Sequence, residues 1–107
     1  MERVAFVLRI KPGALEEYRQ RHAAIWPDMV AALEAAGARN YSIFLDQDEL
    51  RLFAYLEADP DFAALVKRIN ADPVNMRWQR YMRDIMESEI DPRTEWAPRL
   101  DELFHMD

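Results

Sequence analysis

The stretch from Arg39 to Glu57, RNYSIFLDQDELRLFAYLE, decides the fold because two alternating runs flank a short polar segment. One side of the first run is apolar and carries Tyr41, Ile43 and Leu45. Alternation with a period of two is typical of a strand that buries one face. The polar segment Gln47-Asp48-Glu49 is a short turn, and a second strand follows over Leu50–Glu57. The stretch therefore predicts a β-hairpin.

The chain before the hairpin predicts a strand followed by an interrupted helix. Alternating apolar residues define a first strand over Val4–Ile10, which a proline-glycine pair ends. A helix then runs from about Ala14 to Ala36 and stops at Gly37, a residue suited to a left-handed C-cap. Pro27 lies inside this helix, where a proline removes a backbone hydrogen bond. We therefore expect a kink or break between residues 23 and 26.

Two Asp-Pro pairs after the hairpin predict two further helices. Asp59-Pro60 supplies an N-cap and a first-turn proline for a short helix, and Asp72-Pro73 repeats this arrangement. The apolar residues expected to face inward on these helices are Phe62, Leu65, Ile69, Val74, Trp78, Tyr81 and Ile85. A polar connection, Glu87–Pro98, then leads to a last short strand over Leu103–Met106.

This order of elements predicts an α+β fold built on the split βαβ plan, with an antiparallel sheet and helices on one of its faces. The other face of the sheet then needs cover, because apolar residues lie on both sides of the first three strands. A second copy of the chain is the simplest cover. We therefore predict a homodimer in which two sheets pack together.

Composition fits one domain and excludes several classes of protein. The 107 residues are 50% hydrophobic, enough for one core and a single domain over residues 1–107. The chain has no cysteine, which excludes thiol catalysis and suits a reducing, cytoplasmic location. No segment resembles a signal peptide or a membrane span, so no membrane partner is expected. The net charge of −6 argues against nucleic acid, and Arg77, Arg80 and Arg83 are interpreted as a solvated helix edge.

Candidate chemistry centres on His22, which falls on the apolar face of the first helix. The apolar residues of that face are Leu15, Tyr18, Ile25, Met29 and Leu33. Tyr18 precedes His22 by one turn, and Tyr41 lies on a strand that this helix should cover. Three polar groups converging on an apolar region are typical of a small-ligand pocket with acid–base chemistry. A core histidine with a satisfied hydrogen bond is the structural alternative.

Other residues weigh for or against particular chemistries. Trp26 and Trp78 are expected partly in the core, although an indole at a pocket edge also offers a flat apolar face to a sugar ring. Metal binding has weak support, because His22 and His105 are far apart and no HxH, HxxxH or HExxH spacing occurs. The chain also lacks a G-x-S-x-G motif and a glycine-rich loop, which argues against a serine hydrolase and against nucleotide binding.

Several segments together resemble the L-rhamnose mutarotase family over nearly the whole chain. They are Tyr18-Arg19-Gln20-Arg21-His22 with Ile25-Trp26-Pro27, Gly37–Ile43 with Leu45-Asp46, Arg77-Trp78, Tyr81-Met82, Asp84-Ile85-Met86 and Leu103–Met106. The specific part is the pattern Tyr-x-x-x-His-x-x-x-Trp-Pro. The resemblance implies a dimeric ferredoxin-like α+β fold, a dimeric α/β barrel, that interconverts sugar anomers without a cofactor. It also implies that His22 is the proton donor and that Tyr18, Tyr41 and Trp78 bind the sugar.

One departure from that family concerns the residue after Trp78. Family members carry two adjacent tryptophans, whereas this chain has Gln79 at the second position. An amide exchanges ring stacking for hydrogen bonding, so Gln79 is expected to bind the sugar and to favour a differently placed hydroxyl. L-fucose, another 6-deoxy-L-hexose, is therefore a rival to L-rhamnose.

The mechanism and two rival functions stay open at this point. Opening a sugar ring needs two proton transfers, and the second carrier is a tyrosine, His105, a carboxylate or water. A cofactor-free monooxygenase of the dimeric α/β-barrel type is one rival, because the same architecture hosts that chemistry. A small-metabolite binding module without catalysis is the other. Neither rival explains the pattern from Tyr18 to Pro27 as well.

Overall fold

Four strands, four α-helices and a short 3-10 helix make up the part of the chain that the computed structural model describes, residues 1–46, 50–87 and 90–107. The elements are β1 (Glu2–Arg9), α1 (Leu15–Ala23), α2 (Pro27–Ala36), β2 (Ala38–Asp46), β3 (Arg51–Ala58), α3 (Phe62–Asn70), α4 (Pro73–Met82), the 3-10 helix Arg83–Ile85 and β4 (Arg99–Leu100). The predicted hairpin is β2 with β3, and its turn at Gln47-Asp48-Glu49 lies outside the described residues. No helix in the described ranges is long and apolar enough to cross a membrane.

The strands form one antiparallel sheet in the order β2-β3-β1-β4. The two central strands pair in a regular register in which Val4 lies opposite Leu56 and Phe6 opposite Ala54. This order is that of a ferredoxin-like sheet, so the predicted α+β fold with a split βαβ plan is confirmed.

The core lies between the sheet and the helices. On β3 every second residue is buried, from Leu52 to Ala58, while the residues between them are partly exposed. Leu65 and Ile69 of α3 are fully buried against this face. Burial of apolar surface contributes about 25 cal/mol per Å². The helical layer is therefore held to the sheet mainly by the hydrophobic effect.

The break in the first helical segment occurs where the sequence predicts it. Helix α1 ends at Ala23, and α2 begins with Pro27 as its first helical residue. Trp26 has an extended backbone with φ −62° and ψ 130°, as the steric demand of a following proline favours. Gly37 ends α2 in the left-handed conformation with φ 109°, so the predicted C-cap is also confirmed.

One of the two predicted helix caps is wrong by two residues. Asp61, and not Asp59, is the N-cap of α3, because its Oδ1 accepts a hydrogen bond of 2.9 Å from Ala64 N. Asp59 and Pro60 lie before the helix, where Asp59 N donates to Gly37 O. The second cap is confirmed, since Asp72 Oδ1 accepts from Val74 N and Pro73 begins α4.

The last strand lies earlier in the chain than predicted. It is Arg99–Leu100, which pairs with Phe6 and Ala5, whereas residues 103–106 have no regular secondary structure. If that register continued, Leu103 would lie opposite Glu2, the first residue of β1. Residues 104–106 would therefore lie past the end of β1, and the apolar tail is exposed, with Leu103 94% and Phe104 81% accessible.

Tyr81 is a further correction, because it was expected to face the core and is 43% exposed. It lies at the end of α4 and stacks on Trp26 at a centroid distance of 5.4 Å. The guanidinium of Arg21 also lies over the Tyr81 ring, 4.4 Å from its centroid. Tyr81 therefore packs against two side chains near the surface instead of in the core.

Candidate functional site

A cavity of about 720 Å³ lies between the sheet and the helices α1, α2 and α4. Its volume falls in the range of about 300–1,000 Å³ that is usual for small-molecule sites. All of the side chains predicted as site residues line it, namely Tyr18, His22, Tyr41, Trp78 and Gln79. The structure thus brings together residues from three separate parts of the sequence.

His22 lies in the last turn of α1 and is half-buried. Its imidazole stacks on the ring of Tyr18, with centroids 4.1 Å apart and an interplanar angle of 19°. The indole of Trp78 meets the imidazole edge-on at 5.5 Å. Two aromatic neighbours therefore fix the orientation of the His22 ring in the cavity wall.

The hydrogen bond of His22 defines which ring nitrogen is free. Nδ1 lies 3.2 Å from the backbone oxygen of Tyr18, and a carbonyl only accepts, so Nδ1 carries the proton and donates. This leaves Nε2 to exchange protons with a ligand. Burial lowers the pKa of His22 below its usual value, and the bond to the Tyr18 carbonyl opposes this shift only in part. The imidazole is therefore neutral near pH 7.

A β-bulge positions the phenol of Tyr41. The register of β2 against β3 shifts by one residue between Arg39 and Ser42, where Asn40 has a positive φ of 49°. Before the bulge Ala38 faces the helices, and after it the inward positions become Tyr41 and Ile43. The extra residue therefore turns Tyr41 toward the cavity.

The two phenols of the cavity are neutral and available to a ligand. Burial raises the pKa of Tyr18 and of Tyr41, and for Tyr41 the nearby Tyr18 adds to the effect because two phenolates would repel each other. Neither hydroxyl has a hydrogen-bond partner among the residues that the structure describes. Both can therefore donate to and accept from a bound polar molecule.

Trp78 and Gln79 are adjacent on α4 but lie in different environments. Trp78 is buried and packs edge-on against Trp26, with centroids 5.0 Å apart. Trp26 does not line the cavity, so it supports the indole of Trp78 from the side. Gln79 is exposed at the cavity margin, and its Nε2 donates to Oδ1 of Asn75 at 3.2 Å.

Asn75 is a cavity residue that sequence reasoning missed. It is only 4% exposed, a buried polar side chain in a layer of apolar residues. It precedes Trp78 by three residues and Gln79 by four, a spacing that places all three on one helix face. This spacing could have identified Asn75 as a cavity residue, but an asparagine on a helix is usually exposed and so gave no reason to expect it.

A cluster around Arg21 ties α1 to the end of α4. Its guanidinium binds Asp84 through two bonds of 2.9 and 3.2 Å, Glu17 at 2.9 Å and the backbone oxygen of Tyr81 at 2.7 Å. The Arg21 guanidinium also lowers the pKa of the Asp84 carboxyl. Because Arg21 precedes His22 directly, this cluster holds the helix turn that carries the imidazole.

The other candidate proton carriers differ in position. His105 lies on the exposed tail with Nε2 2.9 Å from Asp107 and does not line the cavity. Glu34 and Glu95 line it but are exposed. Within the described ranges, no group of three or more His, Cys, Asp or Glu residues could hold a metal ion. Arg39 and Arg83 also line the cavity and are likewise exposed, so the titratable lining groups that are not exposed are His22 and the two phenols.

A ferredoxin-like α+β protein with a small-molecule cavity against its helical layer is the class that this fold and this geometry define. A family model described as L-rhamnose mutarotase matches residues 3–106. The chain belongs to the L-rhamnose mutarotase family. The family and the enzyme class predicted from the sequence, an isomerase, are therefore confirmed.

Individual relatives agree with this membership. The chain is 42% identical over 106 residues to an L-rhamnose mutarotase of Listeria monocytogenes, covering 99% of both chains. It is 41% identical over 107 residues to one of Burkholderia orbicola, covering 100% of both. A crystal structure of an L-rhamnose mutarotase from Formosa agariphila superposes with a TM-score of 0.81 at 30% identity, again covering 100% of both chains.

Proposed function

We propose that this chain interconverts the α and β anomers of L-rhamnose by acid–base ring opening and closure, with His22 as the proton donor. Its membership in the L-rhamnose mutarotase family supports the reaction. The observation that carries the mechanism is the imidazole of His22 in the cavity wall, held by Tyr18 with Nε2 left free. The reaction is a rearrangement of protons and one C–O bond, so it needs no redox cofactor.

The proposed chemistry has one proton delivered and one returned. The proposed donor is the imidazolium form of His22, which is the minor form near pH 7 because burial lowers its pKa. Its Nε2 gives a proton to the ring oxygen while the bond from that oxygen to C1 breaks. The anomeric hydroxyl loses its proton as C1 becomes an aldehyde, and this proton restores Nε2. The aldehyde rotates and the reverse steps close the ring on its other face. A lowered pKa makes the imidazolium a stronger acid, which favours the first transfer.

The remaining cavity residues are proposed to hold the sugar. The hydroxyls of Tyr18 and Tyr41 each offer a donor and an acceptor to the sugar hydroxyls. The indole of Trp78 offers an apolar surface to the C–H side of the ring. Gln79 is proposed as a further contact, through the amide oxygen that its bond to Asn75 leaves free. A neutral polyol suits a cavity whose unexposed titratable groups, His22 and the two phenols, are themselves neutral at pH 7.

The enzyme is also proposed to act as a homodimer. Val7, Phe53 and Phe44 lie opposite one another in a row across three strands, on the face of the sheet away from the helices. We call this row with Tyr55 the open sheet face. Phe44 is 63% exposed there, an unusual position for a large aromatic residue in a monomer. A second copy packed on this face would bury these side chains.

Replacing His22 by alanine tests the proposed function. The His22→Ala variant should lose about 10²- to 10⁴-fold in the rate of catalysed anomer exchange of L-rhamnose, because a positioned acid contributes about that much. Saturation-transfer NMR measures the exchange rate, and circular dichroism checks the fold. The matched control is His105→Ala, which removes the exposed tail histidine and should keep the wild-type rate.

The outcomes separate the rival functions. Undiminished exchange in His22→Ala would contradict the assigned role. A wild-type protein that binds the sugar without accelerating exchange is a binding module. Comparing exchange of L-rhamnose and L-fucose, in the wild type and in Gln79→Trp, decides between the two sugars. An unchanged preference in Gln79→Trp would show that this position does not set it.

A further inference from the structure

The hydrogen bond between Asn75 and Gln79 leaves a donor and an acceptor unused. Each side-chain amide has one C=O group and one NH₂ group, and the bond of 3.2 Å uses the NH₂ of Gln79 and the C=O of Asn75. The NH₂ of Asn75 and the C=O of Gln79 remain. If both amide groups were turned by 180°, one donor and one acceptor would still be left, so this result does not depend on their assignment.

The NH₂ group of Asn75 has no partner in the described part of the chain, and the residue is only 4% exposed. This NH₂ is not among the fully buried atoms without a partner, so it keeps some accessible surface. Because Asn75 lines the cavity, a ligand in the cavity can be the partner of that group. If the pair only stabilised the helix surface, its free groups would lie in bulk water. The burial of Asn75 therefore distinguishes this pair from an ordinary surface hydrogen bond.

The pair lies next to the aromatic part of the site. Asn75, Trp78, Gln79 and Met82 recur at intervals of three and four on α4, and all of them line the cavity. The indole of Trp78 packs against the His22 ring at 5.5 Å. A sugar that contacts His22 and Trp78 therefore has one edge directed at the amide pair.

We propose that Asn75 and Gln79 act together as a specificity subsite that binds one hydroxyl group of the sugar. A hydroxyl is both a donor and an acceptor, which matches the two free groups of the pair. This inference rests on the proposed function for the identity of the ligand as an aldose. It adds Asn75 to the site and assigns the pair to a hydroxyl. A methyl group or a C–H edge at the same place would displace water from the NH₂ of Asn75 without replacing its hydrogen bond.

Two single variants, the double variant that combines them and a control test the subsite. Asn75→Leu and Gln79→Leu each remove one amide while keeping a side chain of similar size. Arg77→Gln is the matched control, because Arg77 is exposed on the same helix and does not line the cavity. The ligands are L-rhamnose, the three derivatives that lack the hydroxyl at C2, C3 or C4, and L-mannose, which adds a hydroxyl at C6. Calorimetry gives each dissociation constant, and NMR gives each exchange rate.

The expected result is a change in selectivity at one position of the sugar. The wild type and Arg77→Gln should bind the form with that hydroxyl about tenfold or more tightly than the form without it. In Asn75→Leu and in Gln79→Leu this ratio should fall toward one, and the ratios at the other positions should stay the same. The double variant should resemble the single variants, because the two amides act as a unit. A helix-stabilising role alone would weaken binding of all ligands equally.

Failure of this inference differs from failure of the proposed function. If the wild type exchanges L-rhamnose and both variants keep every wild-type ratio, only the subsite is overturned. If the wild type binds the sugars without exchanging them, the proposed function fails, and the binding ratios still decide on the subsite. A wild type that neither binds nor exchanges any of these sugars overturns both.

Discussion

At the scale of single residues, the site depends on an imidazole kept neutral by burial and oriented by its own helix. The Tyr18 carbonyl that accepts from Nδ1 lies inside α1, one turn before His22, and a carbonyl oxygen has two lone pairs, so it can serve the helix and the imidazole together. The helix that carries His22 thus also fixes its tautomer and leaves Nε2 for proton transfer.

The lowered pKa of His22 predicts how stability depends on pH. In the unfolded chain the pKa of a histidine is about 6.5, above the value in the folded protein. At pH values between these two pKa values the unfolded chain therefore binds more protons than the folded protein. The unfolding free energy should therefore fall as the pH drops from about 6.5 through the lower folded pKa. Urea unfolding at a series of pH values measures this, and NMR titration of His22 locates its midpoint. His22→Gln should lose this part of the slope, and parallel curves for the two proteins would contradict the prediction.

The sequence predicts those site residues that share a helix face, but not those whose role depends on tertiary packing. Tyr18 and His22 follow from the spacing on α1, because helical periodicity is local. Tyr41 follows only in part, since the bulge that turns it inward depends on pairing with β3. Asn75 was missed because burial of an amide is decided by the packing of α4 on the sheet and not by the residue type.

At the scale of elements, Gly37 joins α2 to the sheet in a position that excludes a side chain. Its backbone has φ 109°, its N donates to Glu34 O and its carbonyl accepts from Asp59 N. A Cβ added to Gly37 would overlap the backbone oxygen of Asp59. The end of α2 and the residue that follows β3 are therefore in direct backbone contact.

Gly37→Ala should lower the free energy of unfolding by at least about 2 kcal/mol, the sum of left-handed strain and the displacement of Asp59. The control is Gly13→Ala, which also has a positive φ, 81°, but has nothing within 4 Å of the added Cβ. Its expected cost is about 1 kcal/mol from backbone strain alone. Urea denaturation of both variants measures the difference. Equal losses would show that contact with Asp59 does not matter.

Element boundaries follow from the sequence where the deciding signal is local. The break at Pro27, the glycine C-cap and the Asp72 cap are backbone effects of single residues. The errors came where two signals competed or where a partner was required. Asp59 and Asp61 are both N-cap residue types, and Asp61 is the N-cap because α3 begins at Phe62. The tail residues 103–106 have the composition of a strand, but in the register of β4 all of them except Leu103 would lie beyond the end of β1.

At the scale of the whole molecule, the sheet has one covered face and one open face. The split βαβ order places the α-helices of the described ranges on one face. The open sheet face defined by Val7, Phe44, Phe53 and Tyr55 therefore has no helical layer against it within residues 1–46, 50–87 and 90–107. A contiguous apolar surface that is exposed to water is typical of an interaction site. The apolar pattern on both sides of the strands predicts that the second face needs cover. The homodimer stays a prediction, and a measurement of the oligomeric state tests it.

Phe44→Lys should convert a dimer into a monomer, because a charged side chain at the centre of the packed sheets would lose its hydration. Sedimentation velocity measures the mass in solution, and circular dichroism checks that the variant is folded. Met76→Lys is the control, since Met76 is 52% exposed on α4, away from the sheet face and the cavity. It should keep the wild-type mass. A wild type that sediments as a monomer would rule out the proposed interface.

The residues that line the cavity come from both halves of the chain. Tyr18, His22 and Tyr41 precede the connection between β2 and β3, whereas Asn75, Trp78 and Gln79 follow it. Cutting the gene at that connection would give two polypeptides, each with half of the wall and neither with a closed cavity. Anomer exchange by a mixture of the two polypeptides would then show that they had associated. The enzyme could therefore serve as a split reporter of protein association.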